Sequence, residues 1–174
     1  GKADLDPELV EENLFLVEFP VPFTGSFDRA FLDIPQEVLT TSMKHHQKYF
    51  PVRDRSGSLM PYFIGISNNQ ATSMNTVREG NERVLRARLS DADFFWKEDQ
   101  KKPLADKVDE LKAVVYQERL GSVYDKAMRV RRAALDLAER VPSLLPHKPV
   151  LDRAGYLSKA DQVTGMVFEF PELK

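Results

Sequence analysis

The pattern of apolar and polar positions is clearest between Gly80 and Asp99. Leu85, Leu89, Ala92 and Trp96 recur at helical spacing, while Arg83, Arg86, Ser90, Asp93 and Lys97 fall on the opposite face. That is the period of an amphipathic helix, about 3.6 residues per turn. Thr76-Val77-Arg78-Glu79 matches a capping box, so the pattern predicts a start near Thr76, with Gly80 tolerated inside. The helix begins basic, with Arg83, Arg86 and Arg88, and ends acidic and aromatic. This order opposes the helix dipole, which favours anions at the N-terminus and cations at the C-terminus. The arginines therefore either pair with carboxylates of neighbouring elements or serve a ligand.

Upstream, Asp6-Pro7 predicts a helix start, with Val10, Leu14 and Val17 as the apolar face. Pro20 and Pro22 stop it and leave residues 18–23 extended. Gly25–Asp28 is a turn, and a short helix follows from Pro35 to about Met43 with Val38 and Leu39 inward. Tyr49, Phe50 and Val52 favour a strand, and Pro51 places it at an edge or beside a bulge. Arg55–Ser58 is a turn and Leu59–Ser67 a second strand, giving an edge β-hairpin. Downstream, Leu104, Val108 and Leu111 mark a helix over 103–112. Ser122 caps a long helix to about Val141, and Pro142, Pro146 and Pro149 mark a loop. A last helix is expected over 151–168, with the stripe Ala154, Leu157, Asp161, Thr164 and Phe168, ended by Pro171. A carboxylate on an apolar stripe needs a partner. Arg131, on the stripe of the preceding helix, is the matching cation, so an Arg131–Asp161 ion pair is expected; a metal on Asp161 is the competing reading. The fold class is α+β, with packed helices and the hairpin over 1–118 and an all-α part over 119–174.

Composition narrows the chemistry. The chain has 174 residues, 42% hydrophobic and 30% charged, with a net charge of −2. No bulk field draws a nucleic acid, so such a contact requires a local basic patch. The absence of cysteine excludes disulfides and thiolate metal sites. No apolar run approaches the roughly 20 residues of a membrane helix, and no signal peptide is visible, so the expected location is cytoplasmic with no membrane partner. His45 and His46 are adjacent and diverge, and His147 lies in a proline loop, so no metal site is expected. No phosphate loop, dinucleotide fingerprint or nucleophile elbow is present, and no catalytic residues are assigned. A basic-aromatic stretch remains: Lys44, His45, His46, Lys48 and Arg53 flank Tyr49 and Phe50. The cations suit phosphates. The rings suit a base or the core, and the balance favours the core.

Three segments together resemble one family: Pro35–Val52 (PQEVLTTSMKHHQKYFPV), Glu79–Asp99 (EGNERVLRARLSDADFFWKED) and Leu157–Leu173 (LSKADQVTGMVFEFPEL). VVYQERLGSVYDK at Val114–Lys126 and GSFD at Gly25–Asp28 fit it too. They look like the β subunit of bacterial heterotetrameric glycyl-tRNA synthetase. The resemblance implies an internal piece of a longer subunit, without its anticodon-binding domain. It implies that residues 1–118 are similar to the B3/B4 domain of phenylalanyl-tRNA synthetase and that 119–174 begin a degenerate HD-type helical domain. The His-Asp pair of active HD phosphohydrolases falls on Ala160-Asp161 and their first His near Lys126, so a metal-dependent phosphohydrolase lacks its ligands. The resemblance further implies an α2β2 assembly in which the α subunit uses ATP and Mg2+ to activate glycine, and the β subunit binds glycine tRNA. The expected tRNA contacts are Lys44, His46, Lys48, Arg53, Arg83 and Arg86. A purely structural module joining the subunits is the alternative.

Overall fold

The computed structural model describes residues 1–174. The chain forms two compact units, Gly1–Trp96 with Leu173, and Lys97–Glu172 with Lys174. The two units meet in sequence at Trp96/Lys97. The 3-10 helix Leu104–Ala113 joins the downstream unit: its Val108 and Leu111 are fully buried in one cluster with Val123 and Ala160. Of the predicted stripe over 103–112, Val108 and Leu111 are buried, against partners downstream, while Leu104 is exposed.

The first unit is built on an antiparallel sheet of four strands, β1 (Lys2–Ala3), β2 (Val21–Ser26), β3 (Phe50–Arg53) and β4 (Leu59–Ser67), in the order β1-β3-β4-β2. The predicted hairpin is β3–β4, but it is central and not at an edge: β1 pairs with the outer side of β3 and β2 with that of β4, and the register shifts between Pro51 and Arg53. A proline disturbs a ladder in this way because it has no N–H to donate. Between β2 and β4 two glycines each face a phenylalanine across the strands, Phe23 opposite Gly65 and Gly25 opposite Phe63. A Cβ on Gly25 would lie 2.2 Å from the Phe63 ring, and one on Gly65 2.4 Å from the Phe23 ring. Each ring thus occupies the space that the opposing glycine leaves. Tyr49 stacks on Phe63 at 4.4 Å, and Phe23 meets both edge-on.

Three helices complete this unit: α1 (Pro7–Leu16), α2 (Gln36–Thr41) and α3 (Met74–Asp99), whose last three residues belong to the second unit. Asp6 caps α1 by accepting from the Glu8 amide at 3.0 Å. Leu9, not Val10 or Leu14, is the residue α1 buries. Val10, Leu14 and Val17 instead line an open groove of about 290 Å³ with Leu5, Ile64 and Ile66. Leu39 and Met43 are fully buried, as are Leu85, Leu89 and Ala92 of α3. Trp96, the fourth residue of that predicted face, is half-buried. The helix begins at Met74, and Ser73 Oγ accepts from the Thr76 amide. The capping hydroxyl is therefore Ser73, one turn ahead of the predicted box.

In the second unit α4 (Val123–Arg140) packs against α5 (Lys148–Leu157). Ser122 caps α4, as predicted, and Asp125 answers it to complete a reciprocal capping box. Gly155 lets the two helices approach: a Cβ there would lie 2.7 Å from the Arg131 Cα. The single helix expected to Phe168 is broken. A 3-10 turn, Ala160–Val163, and α6 (Gly165–Glu169) follow α5. Thr164 has an extended backbone and caps α6 through its hydroxyl, so it is no stripe residue. Phe168 points outward at 81% exposure, and Phe170 takes the buried place. A short ribbon, β5 (Val115–Gln117) with β6 (Gly121–Ser122), precedes α4. The α+β class stands.

Candidate nucleic-acid interface

Lys44, His46 and Lys48 sit in and just after one wide π-helical turn, Ser42–His46, that extends α2. Such turns are uncommon and concentrate at functional sites. Lys48 follows with φ of 59°, in the left-handed region that non-glycine residues avoid. Its neighbours hold it there. The Lys48 amide donates to the Lys44 carbonyl at 3.2 Å, the Tyr49 amide donates to Met43 at 2.8 Å, and the Lys48 ammonium meets Glu12 at 2.6 Å. The conformation turns the chain out of the helix into β3 and buries Tyr49 and Phe50 at 6% and 5% exposure. Those rings are core, and Tyr49 donates its hydroxyl to Asn81 Oδ1 on α3. Burial pushes the Tyr49 phenol up to about 12. No ring of this strand is offered to a base.

Its cations are largely engaged at home. Lys44 bridges Asp6 at 3.1 Å and Asp4 at 3.5 Å, and its hydrogen bond holds the Asp6 carboxyl below the usual range. Arg53 donates through Nε to Asp4 at 3.1 Å and through Nη1 to Gln36 and to the Gly57 carbonyl. His46 is half-buried. The sequence pattern does not reveal these partners, because Asp4, Asp6 and Glu12 come from the other end of the unit.

Arg83 and Arg86 differ. Both are exposed on α3, and neither makes an ion pair or a side-chain hydrogen bond within the chain. Glu82, four residues before Arg86, is engaged elsewhere: its Oε1 accepts from the Ser26 amide at 2.8 Å and the Ser26 hydroxyl at 3.0 Å. The helix carboxylate nearest to Arg86 by spacing therefore anchors the end of β2. The six predicted contacts thus divide into a neutralised group on the turn and strand and an open pair on α3.

In the second unit, Arg131 pairs with Asp152, not with Asp161. The bond is bidentate, with both distances 2.6 Å. Asp152 lies on α5, three residues before Gly155, where the two helices are closest. The broken last helix carries Asp161 away from the stripe on which it was expected, into the 3-10 turn. The sequence reading missed a second anchor, Asp99. This last residue of α3 accepts from Lys107 at 2.9 Å and from the Gly165 and Met166 amides at 3.0 and 2.8 Å. Burial pushes its carboxyl up, but the Lys107 and amide hydrogen bonds outweigh it and hold the carboxyl below its ordinary value. No group of three or more His, Asp or Glu side chains is placed to hold a metal ion, and no helix is long and apolar enough to cross a membrane.

The family model described as glycyl-tRNA synthetase beta subunit matches residues 1–174. The chain belongs to that family. It is 50% identical over 175 residues to the glycine–tRNA ligase beta subunit of Syntrophotalea carbinolica, covering 100% of this chain. It is 46% identical over 174 residues to that of Moorella thermoacetica and 48% identical over 172 residues, 99% of the chain, to that of Streptococcus agalactiae. The chain spans 25% of the length of each of these relatives.

Proposed function

We propose that this part of the beta subunit supports the ATP-dependent attachment of glycine to its tRNA by holding the tRNA backbone. The observation that carries the reading is the open pair, Arg83 and Arg86, on a helix whose opposite face buries Leu85, Leu89 and Ala92. Arginine pairs with phosphate through a planar, permanently charged fork, and a rigid helix fixes where that fork points. Such contacts set the position of an RNA without reading its sequence. The helix order, basic first, is then explained by a ligand and not by the helix itself. Lys44, His46, Lys48 and Arg53 form a secondary set in this reading, because phosphate would have to compete with Asp4, Asp6 or Glu12 for three of them.

Residues 1–118 then act as a B3/B4-like module and residues 119–174 as the start of a degenerate HD-like domain, with Ala160 where an active relative would place histidine. The glycine-activating site, with ATP and Mg2+, belongs to the α subunit of an α2β2 cytoplasmic enzyme. A second reading is a module that joins the subunits, favoured by the apolar groove beside α1.

The test is tRNA binding by the assembled enzyme carrying Arg83→Ala and Arg86→Ala, at about 50 and 200 mM salt. Affinity should fall, and the slope of log affinity against log salt should flatten by about one per arginine. Unchanged affinity and slope would leave the subunit-joining reading in its place.

A further inference from the structure

On the outer face of α3, Arg83, Arg86, Ala87, Ser90 and Phe94 share a sector about 100° wide, which Glu79 enters from the N-terminal side. All five are exposed, and Phe94 is 57% exposed. Phe94 was grouped by the sequence with the aromatic end of the helix, but it belongs to the arginine side. A bare phenyl ring in line with two open guanidiniums is an arrangement that core packing does not require.

We infer that this stripe binds an unpaired RNA strand, with Arg83 and Arg86 on its phosphates and Phe94 stacked on one of its bases. The inference rests on the tRNA-holding reading above and adds the ring to it. Three features support it. Arg86 and Phe94 lie about 12 Å apart along the axis, and Arg83 and Phe94 about 16 Å, so a few successive nucleotides span the stripe. Between them stand only small side chains. The Ser90 hydroxyl is folded back onto the Arg86 carbonyl at 2.9 Å, which leaves a low surface where a backbone can lie close. Finally, Phe95 meets Phe94 edge-on, with centroids 5.3 Å apart and planes at 73°, and so steadies the ring in one orientation. Asp91 projects off the stripe, while Asp93, two turns after Arg86, borders its Arg86 edge and is already engaged within the chain.

An aromatic ring flanked by cations is the arrangement that holds single strands: charge tracks the backbone and each base offers a stacking face. Bases inside a duplex cannot use the ring, because both their faces are already stacked. Phe94 therefore distinguishes an unpaired end from a paired stem, a distinction that Arg83 and Arg86 alone cannot make. A tRNA carries such an end beyond its acceptor stem.

The experiment uses the assembled enzyme and two probes, glycine tRNA with its unpaired 3′ nucleotides and the same tRNA with those nucleotides removed. Phe94→Ala should weaken binding of the intact tRNA by about fivefold or more and leave the truncated tRNA unaffected, and Phe94→Trp should retain full affinity. Arg83→Ala with Arg86→Ala should weaken both. If Phe94→Ala acts on both probes equally, or on neither, the stacking inference is overturned. It also falls if that variant impairs subunit assembly, because the ring then belongs to a protein interface. If only the arginine variant weakens binding, the tRNA-holding reading survives without the stacking. If neither variant does, both fall.

Discussion

Two groups of cations in the first unit show what a positive charge can be for. Lys44, Lys48 and Arg53 sit where the chain leaves α2 and enters the sheet, and each meets a carboxylate from the start of the chain. Arg83 and Arg86 sit on an exposed helix face and meet none. The first group fastens residues 4–12 to the turn and strand. The second contributes nothing visible to the fold. Cation-rich sequence is thus a poor guide to a ligand surface until the local carboxylates are assigned. The same lesson holds in the second unit, where Lys107 and Arg131 are both engaged by aspartates.

The division can be broken at its strongest point first. Asp99→Ala removes the acceptor for Lys107 and for two amides of α6. It should cost about 3 kcal/mol in denaturant unfolding of the chain, as for other buried pairs that lose one partner. Because the folded pKa of Asp99 lies below its unfolded value, its contribution is present above about pH 4 and is lost as pH falls through the folded pKa. Acid unfolding monitored by circular dichroism should therefore show a weaker pH dependence in Asp99→Asn.

Gly155→Ala is a milder break. It places a methyl 2.7 Å from the Arg131 backbone and should cost about 2 kcal/mol by overpacking α4 against α5. A loss of similar size in Arg131→Met would mark the guanidinium as structural; a negligible loss would remove Arg131 from the engaged group.

The finest comparison sets Lys44→Ala against Arg83→Ala. The first should cost about 1 kcal/mol of stability, since its two ion pairs are partly exposed. The second should change stability by less than about 0.5 kcal/mol. The reverse order in thermal unfolding would dissolve the distinction between the groups.

Much of the fold was legible because it depends on local signals. The buried face of α3, the caps at Asp6 and Ser122, and the β3–β4 hairpin all follow from spacing and from residue types that satisfy free amides or turn the chain. What escaped depends on partners distant in sequence. A period-based stripe on α1 names Val10 and Leu14, but the helix lies on its Leu9 side. The last helix looked continuous because Asp161, Thr164 and Phe168 keep the period. Thr164 is worth more as a cap, and Asp99, from far upstream, accepts the first amides of α6. The helix is broken before that tie, Asp161 lies in a 3-10 turn, and Arg131 pairs with Asp152. At the candidate interface, the residue types were legible and their availability was not.

The two glycine–phenylalanine pairs between β2 and β4 also have an evolutionary consequence. Neither member of a pair is free to drift alone: any side chain on Gly25 collides with Phe63, and any on Gly65 with Phe23. A smaller residue in place of either ring leaves a void above a glycine. A library that varies one position at a time would score all four as fixed. One that varies partners together would find bulk traded from strand to strand, with the inheritable unit being the pair.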